Sequence, residues 1–338
     1  MKPERLQQIL HGASGKQFLI IGDLMLDEFV WGKVGRISPE APVPVVEVTS
    51  ESFYPGGAAN VARNLRQFAE DVAVIGMTGQ DHSGEQLRGL LAREKIDISN
   101  AIEEVSFRTI VKTRIIAQHQ QVVRVDRERI MSPSPKQVAD IVGAVRDRLP
   151  EVDAIIFEDY GKGFLTSELI AGICRDANAA GKIVAADPNS RHLIDWPGIT
   201  VATPNRSEAF FAAGIPLHDA DVSPKEDVDL AQVGETLLKK WNTKYLLITL
   251  GEQGMMLFQK NKPPHHVPTR ARQVFDVSGA GDTATAMFTL ALCGGAAPEE
   301  AAEIANHASA VVIGKLGTAT VTREELAANF SEDAPRGQ

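Results

Sequence analysis

Asp276-Val277-Ser278-Gly279-Ala280-Gly281-Asp282 is where residue types and spacing first suggest chemistry. The segment follows a β-branched and aromatic run (Gln273, Val274, Phe275) and leads into Thr283-Ala284-Thr285-Ala286-Met287-Phe288, whose apolar character predicts a buried helix. The small residues therefore fall where a helix begins. First-turn amides have no intrahelical acceptor and the positive end of the macrodipole lies there, so a helix start attracts anions, and glycines let a phosphate approach the backbone. A carboxylate at such a turn repels a resting phosphate. Asp282 is therefore predicted to be a proton acceptor beside a phosphoryl group in transfer, against the simpler reading of an aspartate that only caps or charges a helix start. Gly279, Gly281 and Ala284 also fit the dinucleotide spacing G-x-G-x-x-A. That fingerprint belongs in a first βαβ unit, and a carboxylate facing the pyrophosphate disfavours it.

Other polar loops follow apolar runs. Gly22-Asp23-Leu24-Met25-Leu26-Asp27 comes after the first run and predicts two carboxylates at the carboxyl edge of a central strand, suited to sugar hydroxyls. Pro55-Gly56-Gly57-Ala58-Ala59-Asn60 is a bare-backbone turn opening a helix, with Asn60 supplying an amide. Asp159-Tyr160-Gly161-Lys162-Gly163 places a lysine between glycines, which favours an anion contact. Thr203-Pro204-Asn205-Arg206-Ser207-Glu208 and Thr249-Leu250-Gly251-Glu252-Gln253-Gly254 follow two more runs, and the oxygen donors Asn205 and Glu208 suit a water-bridged Mg²⁺ on a nucleotide. The pattern G-x-x-x-x-G-K-[ST] is missing, so phosphate must be held by another device.

Positioning these loops on one edge requires a particular scaffold. Apolar runs at 18–21, 72–75, 154–157, 183–186 and 245–249 alternate with helical patterns at 58–67, 83–94, 167–180 and 230–240. That alternation predicts an α/β fold with a central, mostly parallel sheet covered by helices on both faces. Residues 28–52 and 109–127 show period-two patterning (Val43, Val45, Glu47; Thr109, Val111, Thr113, Ile115) with no helix between strands, predicting a small antiparallel sheet that projects as a lid. One face of such a sheet covers the site, and the other is expected to be covered by a second copy in a homodimer. Residues 1–330 are read as one domain and 331–338 as a frayed tail.

With 338 residues, 43% hydrophobic and 23% charged, the chain can bury a sizeable core. A net charge of −9 and the lack of a long basic run argue against nucleic acid, and no stretch reaches the length that spans a membrane. The first 17 residues predict an amphipathic helix, not an export signal, and Cys174 and Cys293 are expected as packing groups in a cytoplasmic protein. The eight histidines, including His265-His266 in an expected loop, form no zinc pattern and are expected at the surface.

Together these residues resemble the PfkB or ribokinase-like carbohydrate kinases: Asp276–Asp282 is similar to the signature D-[TV]-x-G-A-G-D, and 56–60 to the family's other signature. The resemblance spans about residues 15 to 330. A narrower likeness, to the heptose 7-phosphate kinase domain of ADP-heptose synthesis enzymes, rests on four segments: Arg36-Ile37-Ser38-Pro39-Glu40-Ala41-Pro42-Val43-Pro44-Val45, the Gln120-Gln121 strand, 159–163, and Gly314-Lys315-Leu316-Gly317-Thr318-Ala319-Thr320-Val321. The chain departs from those relatives at Asn189, where they carry lysine, and at Gln118-His119, where they carry Arg-Asn. Many of them have a second domain with an H-x-G-H motif. This chain shows none, so the kinase part alone is expected.

The resemblance implies that Asp282 is the base, with the amides of Gly279, Ala280 and Gly281 as an anion hole. It implies a sugar set of Asp27, Gly56, Gly57 and Asn60, assisted by Asp23. Lys162, with Arg36 and Ser38 from the lid, is the expected holder of a sugar phosphate by charge and place. Asn205 and Glu208 would serve Mg²⁺ and ATP phosphates, Thr249, Gly251, Gly254 and Asn306 the nucleotide, and Asp276 an activating monovalent cation such as K⁺. The alternatives are a kinase for another sugar and a catalytically silent sugar-binding regulator.

Overall fold

The computed structural model describes residues 1–332 apart from 119, 191, 193, 219–221, 272 and 273, so His119 and Gln273 lie outside it. The chain runs through α1 (Pro3–Ser14), β1 (Gln17–Gly22), β2 (Leu24–Ile37), β3 (Pro44–Gly57), α2 (Ala58–Arg66), β4 (Asp71–Ile75), β5 (Met77–Gly79), α3 (His82–Arg93), β6 (Ile102–Glu104), β7 (Ile110–Ala117) and β8 (Gln120–Arg127). It continues through α4 (Pro135–Arg148), β9 (Ala154–Glu158), α5 (Ser167–Ala179), β10 (Ile183–Asp187), β11 (Val201–Ala202), α6 (Arg206–Ala213), α7 (Val228–Lys240), β12 (Tyr245–Thr249), β13 (Met255–Gln259), β14 (His265–Val267), α8 (Ala280–Cys293), α9 (Pro298–Ile313) and α10 (Arg323–Glu332).

The main sheet has eight strands in the order β14-β13-β12-β11-β10-β9-β1-β4. Its six strands from β12 to β4 are parallel, and β13 and β14 add an antiparallel edge. Successive side chains of a strand point to opposite faces, and the core divides accordingly. Phe18, Ile20, Val72, Val74 and Ile156 pack with Leu10, Leu65, Phe288 and Ile304 on one face. Leu19, Ile21, Ile75, Ile155 and Phe157 pack with Ile141, Ile173, Phe210 and Leu237 on the other. With all parallel strands running the same way, their carboxyl ends share one edge, where α/β sheets bind ligands.

The lid is a four-stranded sheet, β3-β2-β7-β8. Each of its two hairpins is antiparallel, and a parallel β2–β7 pair joins them. The first hairpin starts deeper than the expected residue 28: Leu24 pairs with Gly57, so Asp27, Gly56 and Gly57 lie within the lid strands at their root.

Three sequence expectations are corrected. His265 and His266 belong to strand β14, not a loop. His307 is 1% exposed and stacks on Phe330, because an imidazole inside an apolar helix face packs as an aromatic ring. Helix α10 runs through Glu332, so the segment expected as a tail from 331 begins in a helix, and 333–338 lie outside the described residues. Cys174 and Cys293 are free, and burial pushes both thiols up to about 12, consistent with packing roles. Among the described residues no helix is long and apolar enough to cross a membrane.

Candidate active site

Helix α8 begins where the carboxyl ends of β9 and β10 open, and its first turn carries Asp282 into a buried position. Gly279 holds the turn with φ +78°, a left-handed conformation that L side chains rarely adopt, and a Cβ there would lie 2.6 Å from Asn60 Nδ2. The contact matters because the same Nδ2 donates to Asp282 Oδ2 at 2.7 Å. The Tyr160 hydroxyl donates to Asp282 Oδ1 at 2.8 Å. Burial raises the Asp282 pKa to about 6, the two donors pull it back toward the carboxylate, and the charge of Asp27 adds to the rise. Such a group is ionised at neutral pH yet basic enough to accept a proton from an activated alcohol.

The anion loop differs from expectation in one detail. The Ala280 amide turns toward Val277 O at 3.3 Å. Gly281 and Asp282, at the second and third helical positions, carry amides for which the helix itself supplies no acceptor.

Beside Asp282 lie two acids that sequence reasoning missed, Glu158 and Asp187, the last residues of β9 and β10. One carboxylate oxygen from each of the three falls within 4.8 Å of the others. Burial first, then mutual repulsion, holds Glu158 and Asp187 well above the usual carboxylate range, and Glu208 is raised for the same reasons. Glu158 Oε2 is buried without a hydrogen-bond partner among the described residues. Crowded hard oxygens with an orphaned acceptor fit a divalent cation, which would favour the ionised forms of all three. Glu208 and Asn205 form a capping box on α6: Asn205 Oδ1 accepts from the Glu208 amide at 3.0 Å, and Glu208 Oε2 accepts from the Asn205 amide at 2.9 Å.

These acids line a cavity of about 270 Å³. A second cavity, about 430 Å³, is lined by Thr249, Gly251, Gly254, Val274, Asn306 and Ile313 among others, and Thr249, Val277 and Gly281 border both. Val274 and Val277 are exposed apolar side chains at its mouth, as a flat heterocycle would require. Asn306 lines this space while its Nδ2 donates to Pro268 O at 2.7 Å.

On the lid side, Asp27 is buried, with Oδ1 accepting from Arg114 Nη1 at 2.5 Å and Oδ2 from the Thr318 hydroxyl at 3.0 Å. Gly56 is required there, since a Cβ would meet Asp27 Oδ2 at 2.3 Å. Among the described residues Asn60 Oδ1 is buried with no hydrogen-bond partner, leaving an acceptor for a ligand hydroxyl.

Three expected site residues, Asp23, Arg36 and Ser38, are placed differently. Asp23 turns to the backbone: its oxygens accept the amides of Tyr160, Lys162 and Phe164, and it fastens the loop after β9. Arg36 and Ser38 lie at the tip of the first lid hairpin, nine and more residues along β2 from Asp27, a span of about 30 Å at the strand rise. Asp276 accepts the amides of Ser278 at 2.9 Å and Gly317 at 3.2 Å, tying the anion loop to the 314–318 turn. Lys162, two residues after Tyr160, is paired with Glu128 at 2.7 Å.

Nothing in the local sequence marks Tyr160 for chemistry; its role rests on the contact with Asp282. Tyr160→Phe is expected to lower kcat about tenfold with little change in either Michaelis constant, because a misaligned base slows proton transfer without weakening binding. Steady-state kinetics check this, and an unchanged kcat would contradict it.

An anion-binding helix start, a buried basic carboxylate and a metal-fitting acid cluster at the carboxyl edge of a parallel sheet define a phosphotransferase site. The chain belongs to the pfkB family of carbohydrate kinases, whose model matches residues 16–325, and it is an ATP-dependent sugar kinase using a divalent metal. It is similar to the bifunctional protein HldE of Desulfatibacillum aliphaticivorans, 39% identical over 94% of this chain and 64% of that one. It is also similar to the protein of that name from Caulobacter vibrioides, 41% identical over 96% and 65%. The chain spans about two thirds of the length of these relatives. Among solved structures, phosphofructokinase-2 of Escherichia coli in complex with substrates and products superposes with a TM-score of 0.73 at 19% identity, covering 94% of this chain and 99% of that one. Arabidopsis thaliana ribokinase complexed with ribose and ATP gives 0.68 at 18%, covering 93% and 98%. These two show the shared fold.

Proposed function

We propose that this protein transfers the γ-phosphoryl group of ATP to the anomeric hydroxyl of D-glycero-D-manno-heptose 7-phosphate. The products would be heptose 1,7-bisphosphate and ADP, on the route to ADP-heptose and the lipopolysaccharide core, in the cytoplasm. The observation that carries the reading is the Asp282 carboxylate, held by Asn60 and Tyr160 at the start of α8 in the wall of the smaller cavity. In this account the acceptor oxygen attacks the γ-phosphorus, the bond to the β-phosphate oxygen breaks, and the proton passes to Asp282. Amides of Gly279 and Gly281 meet the charge spreading over the equatorial oxygens.

Mg²⁺ fits the acids that line the smaller cavity: Glu158 and Asp187 of the carboxylate cluster, with nearby Glu208, would hold it directly or through water and offset the charge of ATP. Asp187→Asn should then raise the Mg²⁺ concentration for half-maximal rate at least about tenfold, the loss that removing even an outer-shell partner causes. A Mg²⁺ titration at saturating ATP decides it, and an unchanged midpoint would remove Asp187 from the metal site. K⁺ beside Asp276 would stiffen the two loops that this carboxylate already joins.

Asp27, Gly56, Gly57 and Asn60 would hold the sugar ring, and Thr249, Gly251, Gly254 and Asn306 the nucleoside. Residues 1–330 act as one catalytic unit in this reading, with the lid closing over the sugar to exclude water. A homodimer through the lid is supported by its outer face, where Val123 and Val125 pair in register with Ile115 and Thr113 and are 45% and 41% exposed. Sedimentation velocity at assay concentration should find a dimer, and a monomer would contradict this.

The narrower heptose reading draws on the 36–45 and 314–321 segments and on the HldE relatives. Coupled ADP detection over a panel of sugars and sugar phosphates tests it: heptose 7-phosphate should give the highest kcat/KM. A better ketose phosphate would replace the substrate and leave the chemistry.

A further inference from the structure

The inner face of the lid carries more positive charge than a surface over a neutral sugar needs. Asp27 lies opposite Lys112 and Phe29 opposite Arg114 in the β2–β7 pair, and Lys112 lies opposite Asp126 and Arg114 opposite Arg124 in the β7–β8 pair. Paired residues of neighbouring strands project to the same face. Lys112, Arg114 and Arg124 therefore share the face of Asp27, whose carboxylate reaches Thr318 inside the site.

The three cations are not equally engaged. Arg114 is committed to Asp27 and lies over the Phe29 ring at 5.1 Å. Arg124 takes both oxygens of Asp126, at 2.9 and 3.0 Å. Lys112 is left a loose contact of 3.7 Å to the same Asp126, although its side chain is only 13% exposed. From the loop after β9 comes Lys162, whose side chain is 11% exposed and pairs with Glu128 at 2.7 Å. Its backbone is pinned by Asp23 on its amide and by the Met131 amide on its carbonyl. Lys162 lies close enough to disfavour the charged form of Lys112, adding to the effect of burial, while Asp126 and Glu128 oppose both. Two part-buried ammonium groups gathered beside Asp126 and Glu128 at the end of β8, one of them weakly paired, suit a doubly charged anion that contacts both.

We propose that Lys112 and Lys162 together form the subsite for a phosphate group on the acceptor sugar, and that Lys112, reaching from the lid, sets the preference for phosphorylated over neutral sugars. The inference rests on the sugar-phosphate reading above and replaces Arg36 and Ser38 with a residue that the strand register places beside Asp27. A neutral sugar of the same ring would satisfy Asp27 and Asn60 but leave the two ammonium groups without their anion.

The test measures kcat/KM for heptose 7-phosphate and for the same heptose without its phosphate, in wild type, Lys112→Gln and Lys162→Gln, with the KM for ATP as a control. Wild type should prefer the phosphorylated sugar, and each variant should lose about 10- to 100-fold of that preference, the range for hydrogen bonds to a charged group. The KM for ATP should move far less. If wild type shows the preference and Lys112→Gln keeps all of it, the subsite is wrong and the substrate reading stands. Should wild type itself show no preference, the substrate reading falls and this inference with it. Lys162→Gln provides an independent arm if Lys112→Gln does not fold, and full retention there would equally overturn the paired site.

Discussion

Replacing Asp282 by Asn should lower kcat by at least about 10²-fold, the usual contribution of a positioned base, while the Michaelis constants for ATP and sugar stay near their wild-type values. Asparagine keeps the size and the contact with the Tyr160 hydroxyl, so binding is preserved, but it cannot take the proton. The pH profile supplies a second reading of the same residue. The active form is the carboxylate, and its pKa is pushed up to about 6, so kcat/KM should hold above that value and fall as pH drops through it. A bound divalent cation favours the carboxylate and moves the limb lower. Initial rates from pH 5 to 8 check both points, and comparable turnover in wild type and variant would remove Asp282 from the chemistry.

Gly279→Ala should be nearly as damaging, by a different route. At φ +78° an L residue is strained by about 1–2 kcal/mol. The larger effect is on geometry, because the added Cβ would lie 2.6 Å from the Asn60 Nδ2 that holds Asp282. Asn60 must move, the base moves with it, and the amides of the turn lose their aim at the phosphoryl oxygens. A loss of about 10²–10³ in kcat is expected, the scale of a removed oxyanion donor. Kinetics with a urea midpoint separate the two effects, and a variant with wild-type kcat would show that the turn tolerates a side chain.

How much of this was legible in the sequence depended on what each residue's neighbours revealed. The parallel sheet was readable because buried strands such as 18–21 and 154–157 are continuous apolar runs, and the helix start at Gly279 was readable from small residues before an apolar stretch. Glu158 and Asp187 were not, because each is the last residue of such a run and only the register of β9 against β10 brings Glu158 beside Asp187. Tyr160 was hidden similarly: its hydroxyl meets Asp282 across 122 residues, and no periodicity encodes that. An aspartate after a strand, as at Asp23, serves equally well to contact a ligand or to fasten a loop, and the sequence does not say which amides will be near. Arg36 and Ser38 lie far from Asp27, since a hairpin of 14-residue strands carries its tip far from its root. The charged inner face of the lid was present as the alternation of Lys112 and Arg114, but its relation to Asp27 needed the β2–β7 register.

The account meets its most direct test in ³¹P NMR of the wild-type protein incubated with ATP, Mg²⁺ and heptose 7-phosphate. It predicts a new anomeric phosphate monoester resonance growing with ADP while the 7-phosphate signal persists. Consumption of ATP without any phosphate appearing at the anomeric carbon, or no transfer at all to this sugar while another is turned over, would contradict it.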